Sequence, residues 1–231
     1  MKTIGLLGGM SWESTQWYYQ ALNQGIKNEL GGLHSAKIIL HSVDFAEIEK
    51  LQVAGDWHTA GELLADAAVG VEKAGADFLM ICTNTMHKVA AQISHKISIS
   101  LLHIADATAE DLCAQKITAV GLLGTAFTME HDFYKGRLEN HYGMKVITPN
   151  KDDRQIIHRV IYDELVLGKI IKDSKQEYMR IIQDLADQGA QGVILGCTEI
   201  GTLVKQTDTP VKLFDTNTIH AEKAVELALK D

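Results

Sequence analysis

Short apolar runs alternate with longer amphipathic ones along the whole chain. Thr3–Leu7 is apolar and ends in Gly8-Gly9. Trp12–Leu30 has helical spacing and stops at Gly31-Gly32. Lys37–Val43 reads as a second strand and Asp56–Ala74 as a second long helix ending at Gly75. Phe78–Cys82 is apolar without alternation, the pattern of a strand buried on both faces. Thr85–His95 and Ala105–Ala114 follow as helices, with a strand near Leu101–Ile104 between them. The scheme restarts at Ile117. Strands are expected at Ile117–Leu123, Met144–Thr148, Gly192–Leu195 and Val211–Phe214. Helices are expected at Asp152–Leu167, Ser174–Gln188, Ile200–Lys205 and Thr216–Lys230. Strands alternating with helices predict an α/β fold with mostly parallel sheets.

The restart is an internal repeat. Ile4-Gly5-Leu6-Leu7-Gly8 matches Val120-Gly121-Leu122-Leu123-Gly124, a shift of 121 − 5 = 116. Gly75-Ala76 through Thr83-Asn84 matches Gly189-Ala190 through Cys197-Thr198, a shift of 197 − 83 = 114. Two matches at nearly one offset predict two similar lobes. The competing explanation is that helix-Gly-Ala-strand junctions recur in any α/β protein. With the repeat, residues 1–104 plus 210–231 form an N-terminal lobe and 105–209 a C-terminal lobe. Thr83 and Cys197 then fall at equivalent strand ends, expected on either side of a cleft between the lobes. Strand C-termini are where α/β sheets place ligands.

Composition narrows the partners. With 22 Lys+Arg against 30 Asp+Glu in 231 residues, the charge is −8, and no basic run reverses it locally. Nucleic acid is therefore not the expected partner. No apolar run approaches the eighteen or so residues that span a membrane. Met1–Leu7 reads as a first strand and not as a signal peptide, because Gly8-Gly9 interrupts it. Three scattered cysteines (Cys82, Cys113, Cys197) suit neither a disulfide scaffold nor a zinc knuckle, and point to the reducing cytoplasm. Ten histidines lack ligand spacing, so no metal is expected.

Cys197 is the leading candidate for chemistry. Gly196-Cys197-Thr198-Glu199 follows a buried strand and opens a helix, where free N–H groups and the helix dipole favour thiolate. Cys113 reads as core, and Cys82, one residue before Thr83, points away from it and also reads as core. Thr83-Asn84-Thr85 can hold a carboxylate or cap a helix. Gly8-Gly9-Met10-Ser11 can hold an anion or form a turn, and Gly124-Thr125 repeats it. His87 reads as a solvated or capping residue. Trp12, Trp17, Tyr18 and Tyr19 read as core packing, and Lys169 and Lys172 as surface lysines.

Gly196-Cys197-Thr198-Glu199, Thr83-Asn84-Thr85 after Gly-Ala-Asp, and Gly5-Leu6-Leu7-Gly8-Gly9-Met10 together resemble the aspartate/glutamate racemase family, nearest to its bacterial L-aspartate/glutamate-specific branch. Leu122–Thr125 and Ile161–Leu165 through Gly168-Lys169 also fit, so the resemblance runs the length of the chain. It implies two pseudosymmetric α/β lobes, a cleft between them holding the site, no cofactor and no metal, and commonly a homodimer. It also implies two catalytic cysteines, one taking the α-proton of a small amino acid and the other returning one to the opposite face. Here Thr83 stands where the first cysteine usually does. The resemblance therefore assigns the base to Cys197 and only a position to Thr83. It suggests that Met10, Asn84, Thr85, Thr125, Thr198 and Glu199 line the substrate. Gln52 falls where many aspartate racemases carry an arginine, and Lys169 resembles a second carboxylate-binding group.

The expected reaction is cofactor-independent racemisation of L-aspartate and L-glutamate. The neutral Gln52 leaves room for broader or homoserine specificity. A single cysteine also suits a decarboxylase of malonate-type acids, which protonates one face only. A non-catalytic binder of small acids is the alternative from another class.

Overall fold

The structure is a computed structural model and describes residues 1–230. It divides into two compact units: Met1–Ile104 together with the chain from His220 onward, and Ala105–Ile219. The first unit contains β1 (Ile4–Gly8), α1 (Trp12–Leu30), β2 (Ile38–Ser42), α2 (Phe45–Ala54), α3 (Trp57–Lys73) and β3 (Phe78–Ile81). A 3-10 turn (Thr85–Val89), α4 (Ala90–Lys96) and β4 (Ser100–Leu102) complete its sheet, and α5 (Ile104–Ala114) leads out of it. The second runs through β5 (Ala119–Gly124), α6 (Ala126–Glu130), α7 (Lys135–Tyr142), β6 (Lys145–Ile147) and α8 (Lys151–Asp163). It continues with α9 (Lys172–Asp187), β7 (Val193–Gly196), α10 (Ile200–Leu203) and β8 (Leu213–Asp215). The closing helix α11 (Thr216–Leu229) returns the chain to the first unit.

Each unit has one four-stranded parallel sheet, ordered β2-β1-β3-β4 and β6-β5-β7-β8. The continuous apolar runs are the central strands: β1, β3 and β7 are buried at every position, while the edge strand β2 is not. Helices on both faces leave those strands no contact with water, hence no polar alternation. In the first unit, one apolar cluster gathers Leu64, Ala68, Val71, Leu79, Ile81 and Met86. A second, on the other face, gathers Ile4, Tyr18, Leu22, Phe78, Met80 and Ala224. Tyr178, Ile181, Ile182 and Leu185 of α9 join Leu123, Val193 and Leu195 in the second unit.

The two sheets repeat each other in register. Leu7 pairs with Ile81, and Leu123 pairs with Leu195. The offsets are 123 − 7 = 116 and 195 − 81 = 114, the same two shifts carried by the sequence matches. Carried two residues further, Thr83 and Cys197 occupy the same topological position in their units.

Three helices escape the reading of the sequence: α2, α6 and α7. Each is short and interrupted by capping residues, so none sustains a long apolar stripe. Asp44 caps α2 by accepting from the Ala46 N–H, and Gly55, in the left-handed region at φ 71°, ends it. Two expected helices are broken: Thr85–His95 begins as the 3-10 turn, and Asp152–Leu167 stops at Glu164 before a separate 3-10 turn. The aromatic residues of α1 also depart from expectation. Tyr18 is buried, but Trp12, Trp17 and Tyr19 are exposed. The Ser14, Tyr18, Leu22, Ile26 stripe faces inward with Thr15 beside it, a spacing of four that leaves Trp12, Trp17 and Tyr19 outside. Cys113 is likewise exposed instead of core, one residue past the buried Leu112. Among the described residues, no helix is long and apolar enough to cross a membrane.

Candidate active site

In both sheets the strand order reverses direction at the central pair, β1/β3 and β5/β7. Loops leaving adjacent strands there diverge to opposite faces and open a crevice beyond the strand C-termini. The candidate residues sit at those two places: Met10, Thr83, Asn84 and Thr85 after β1 and β3, Thr125, Cys197, Thr198 and Glu199 after β5 and β7.

After β1 the chain turns at Gly9, with φ 95°. A Cβ there would stand 2.2 Å from the Val43 carbonyl oxygen and 2.6 Å from its nitrogen, so only glycine fits. The Gly9 N–H donates to Thr15 Oγ1 at 2.8 Å, and Ser11 caps α1 by accepting from the Ser14 N–H. Of the two readings open for this segment, turn and cap chemistry accounts for these groups. Met10 itself is buried in the apolar cluster. Thr125 plays the matching role after β5, capping α6 through the Thr128 N–H.

After β3, Cys82 is fully buried, as expected, and burial pushes its thiol well above the ordinary range. Thr83 is partly exposed, whereas Asn84 and Thr85 are buried. Gln52 comes from α2, the helix not foreseen, and is only 4% exposed. Its Nε2 lies 2.9 Å from Met86 Sδ, a weak acceptor, and its Oε1 is buried without a hydrogen-bond partner. An unsatisfied amide oxygen costs about 1–3 kcal/mol. A ligand that donates to Gln52 would offset that cost.

Cys197 is half-buried against the apolar cluster of the second unit. Its Sγ–H donates to Glu199 Oε2 at 3.0 Å, and the Thr198 hydroxyl donates to the same oxygen. Burial, then the Glu199 charge, hold the thiol well above its ordinary pKa. The Thr198 and Glu199 N–H groups pull the other way and lose. This corrects the expectation of a depressed pKa. The helix that follows has four residues, and the carboxylate folded onto the sulfur outweighs its dipole. The resting group is a thiol beside its own proton acceptor. Glu199→Gln should therefore lower the alkylation midpoint of Cys197 by about one pH unit or more, since removing a neighbouring like charge favours thiolate. Iodoacetamide labelling against pH, read by mass spectrometry on the Cys197 peptide, checks it; an unmoved or raised midpoint would contradict the stated cause.

Lys169 is exposed after Gly168, and its backbone N–H closes the turn onto the Glu164 carbonyl. Among the described residues, no hydrogen bond or ion pair joins its side chain to the Cys197 loop. Among the described residues, no cluster of three or more His, Cys, Asp or Glu side chains could hold a metal.

His87 also departs from expectation. It is 2% exposed, not solvated. The 3-10 turn winds it inward, where it meets His103 and His220 at ring-centroid distances of 4.5 and 5.9 Å. The spacing from Thr83 signals only a helix turn; that both ring nitrogens find backbone partners is visible only in the fold.

The family model for Asp/Glu/Hydantoin racemase matches residues 7–224, which span both sheets and both strand-end loops. The chain belongs to the Asp/Glu/hydantoin racemase family. As a member of that family it is an isomerase, and the family's substrates are small amino acids and related compounds. A crystal structure from Yersinia pestis, described as a candidate Asp/Glu racemase, is 55% identical over all of both chains, with a TM-score of 0.95. An aspartate racemase homologue from Pyrococcus horikoshii is 35% identical, again over all of both chains, with a TM-score of 0.85. The broad-specificity amino-acid racemase RacX of Bacillus subtilis is 25% identical over 173 residues, 72% of this chain and 71% of RacX. Two parallel sheets flanked by helices are thus the racemase fold, as the sequence pattern predicted.

Proposed function

We propose that this racemase inverts L-aspartate and L-glutamate without a cofactor, with Cys197 as the α-proton base and Thr83 serving the opposite face. The observation that carries it is the Cys197–Glu199 pair at the C-terminal end of a central strand. An amino-acid α-proton is very weakly acidic, and a neutral thiol cannot remove it. Glu199 supplies what the thiol lacks, a carboxylate within hydrogen-bond reach to accept the sulfur's proton. The thiolate then takes the α-proton and becomes a thiol again. The Thr83 hydroxyl gives its proton to the other face of the carbanion, and the proton lent to Glu199 returns to Thr83 through water. Every proton is conserved over the cycle.

Charge built on the α-carboxylate needs fixed donors. Asn84, Thr85, Thr125 and Thr198 are the candidates, with Met10 as an apolar wall. Gln52 would bind the side-chain carboxylate through its amide, with Lys169 as a second group of opposite charge.

Thr83 is a poor acid–base group beside a thiol, which gives a test. Thr83→Cys places a thiol at the equivalent position and should raise the initial rate from D-aspartate or D-glutamate by about tenfold or more. Chiral chromatography of the product reads it. Because enantiomers are isoenergetic, kcat/KM must remain equal in the two directions, so the gain appears in both. No gain in a folded variant would remove Thr83 from the reaction.

A second reading, broader amino-acid specificity, is favoured by one observation: Gln52 is neutral and its buried oxygen accepts rather than donates. That oxygen suits a hydroxyl or ammonium donor better than a carboxylate. The sequence similarity to RacX points the same way. Deuterium exchange across a panel of amino acids, read by NMR, separates the two: exchange confined to the acidic pair excludes the second.

A further inference from the structure

We infer that His87 is a positioning residue: the hydrogen bond its imidazole donates to the Thr83 carbonyl sets the hydroxyl for the inversion half of the reaction, and the bond from the Ile104 N–H keeps the proton on the donating nitrogen. The inference rests on the role proposed above for Thr83.

Both ring nitrogens of His87 are committed to the main chain. Nδ1 lies 2.8 Å from the Thr83 carbonyl oxygen, and Nε2 lies 3.2 Å from the Ile104 nitrogen. A carbonyl can only accept and a backbone N–H can only donate. Nδ1 therefore carries the proton, and Nε2 holds the lone pair that accepts from Ile104. Neither nitrogen is left to exchange a proton with substrate, so the ring does not act as acid or base. What it does is mechanical. Thr83 leaves β3 and Ile104 follows β4, two strands paired in parallel. The imidazole bridges their C-terminal ends.

The ring is itself held from behind. His103 and His220 both meet it in tilted, edge-type contacts. His220 donates from Nε2 to the Leu102 carbonyl at 2.9 Å, in β4, and its Nδ1 faces the Tyr18 hydroxyl of α1 at 3.0 Å. Tyr18 and His220 are fully buried. Burial keeps both His87 and His220 uncharged, His220 with its pKa lowered to about 4. A buried network with every member satisfied is rigid, and rigidity is what a weak proton donor needs from its support.

Two amides separate the two bonds of the ring. Asn places its side-chain nitrogen near the position of Nδ1, so His87→Asn keeps the donor to Thr83 and loses the Ile104 link. Gln reaches the position of Nε2, so His87→Gln keeps an acceptor for Ile104 and loses the donor to Thr83. The experiment follows L-glutamate in deuterated buffer by two readouts: α-deuteration of the L-isomer, assigned to Cys197, and formation of the D-isomer, which also needs Thr83. His87→Gln should cut D-glutamate formation on the order of tenfold or more while leaving L-deuteration within about twofold, and His87→Asn should restore inversion to within about threefold of wild type. A folded His87→Gln protein that keeps both activities, or loses both in parallel, overturns the inference, as does a folded His87→Asn protein without rescue. Should the variants fail to fold, imidazole ¹⁵N shifts in the wild-type protein decide: an Nδ1–H tautomer for His87 is expected, and an Nε2–H tautomer or a charged ring at neutral pH overturns it. Thr83→Ala separates the two levels. Inversion retained in that variant sinks the role of Thr83 and the inference with it. Inversion lost there but kept in His87→Gln sinks the inference alone.

Discussion

Cys197→Ala is expected to lose solvent deuterium incorporation into L-aspartate and L-glutamate by roughly a thousandfold or more, toward the upper end for a positioned proton-transfer group. Racemisation should fall with it, because the proposed cycle begins with the Cys197 thiolate taking the α-proton on that face. The three cysteines make the experiment specific. Cys82 is sealed in the core, with its thiol pushed up by burial, and cannot substitute. Cys113 is exposed on α5 and serves as the control: Cys113→Ser should leave exchange unchanged. Exchange retained in a folded Cys197→Ala protein would defeat the assignment of the base. Exchange lost equally in Cys113→Ser would mean that the loss reports damage to the fold.

Gly9→Ala is the second large effect, and it acts through the backbone. The residue sits at φ 95°, which costs a side-chain-bearing residue of order 1–3 kcal/mol. Separately, the new Cβ would press on the Val43 carbonyl oxygen at 2.2 Å and nitrogen at 2.6 Å. Those are main-chain atoms next to β2 and cannot turn away as a side chain would. The two penalties together should reach about 3 kcal/mol or more, a large share of the 5–15 kcal/mol that holds a typical domain. In a chain of this length that lowers Tm by roughly 6–12 °C. Gly143→Ala isolates the first penalty. Its φ is 66°, but nothing lies within 4 Å of the added carbon. It should cost about 1 kcal/mol, the strain alone. Calorimetry on the two variants checks both values. Equal shifts would show that the approach to Val43 is not what excludes a side chain at Gly9.

Much of the architecture was legible because it is written in local chemistry. Buried parallel strands must be apolar throughout, so β1, β3, β5 and β7 stand out as runs. A glycine pair is what lets the chain turn sharply against β2. The repeat makes Thr83 and Cys197 equivalent, since a shared offset survives as long as the two sheets share a register. Helices that carry no long stripe, such as α2, leave no comparable trace. Gln52 consequently could be named by resemblance but not placed in a buried setting.

By itself the sequence determined the α/β class, the doubled sheet and the two strand ends that bear the candidate chemistry, because periodicity and repetition are properties of neighbours along the chain. Only the tertiary structure decided the protonation of the site and the support beneath it. The Cys197 thiol is raised first by burial and then by Glu199 folded back onto the sulfur, whereas the local motif alone suggested a thiolate. His87 is neutral and committed because Thr83 and Ile104, on separate strand ends, both reach its ring. Charge and hydrogen bonding depend on distance through space and on the exclusion of water, and neither is a function of spacing along the chain.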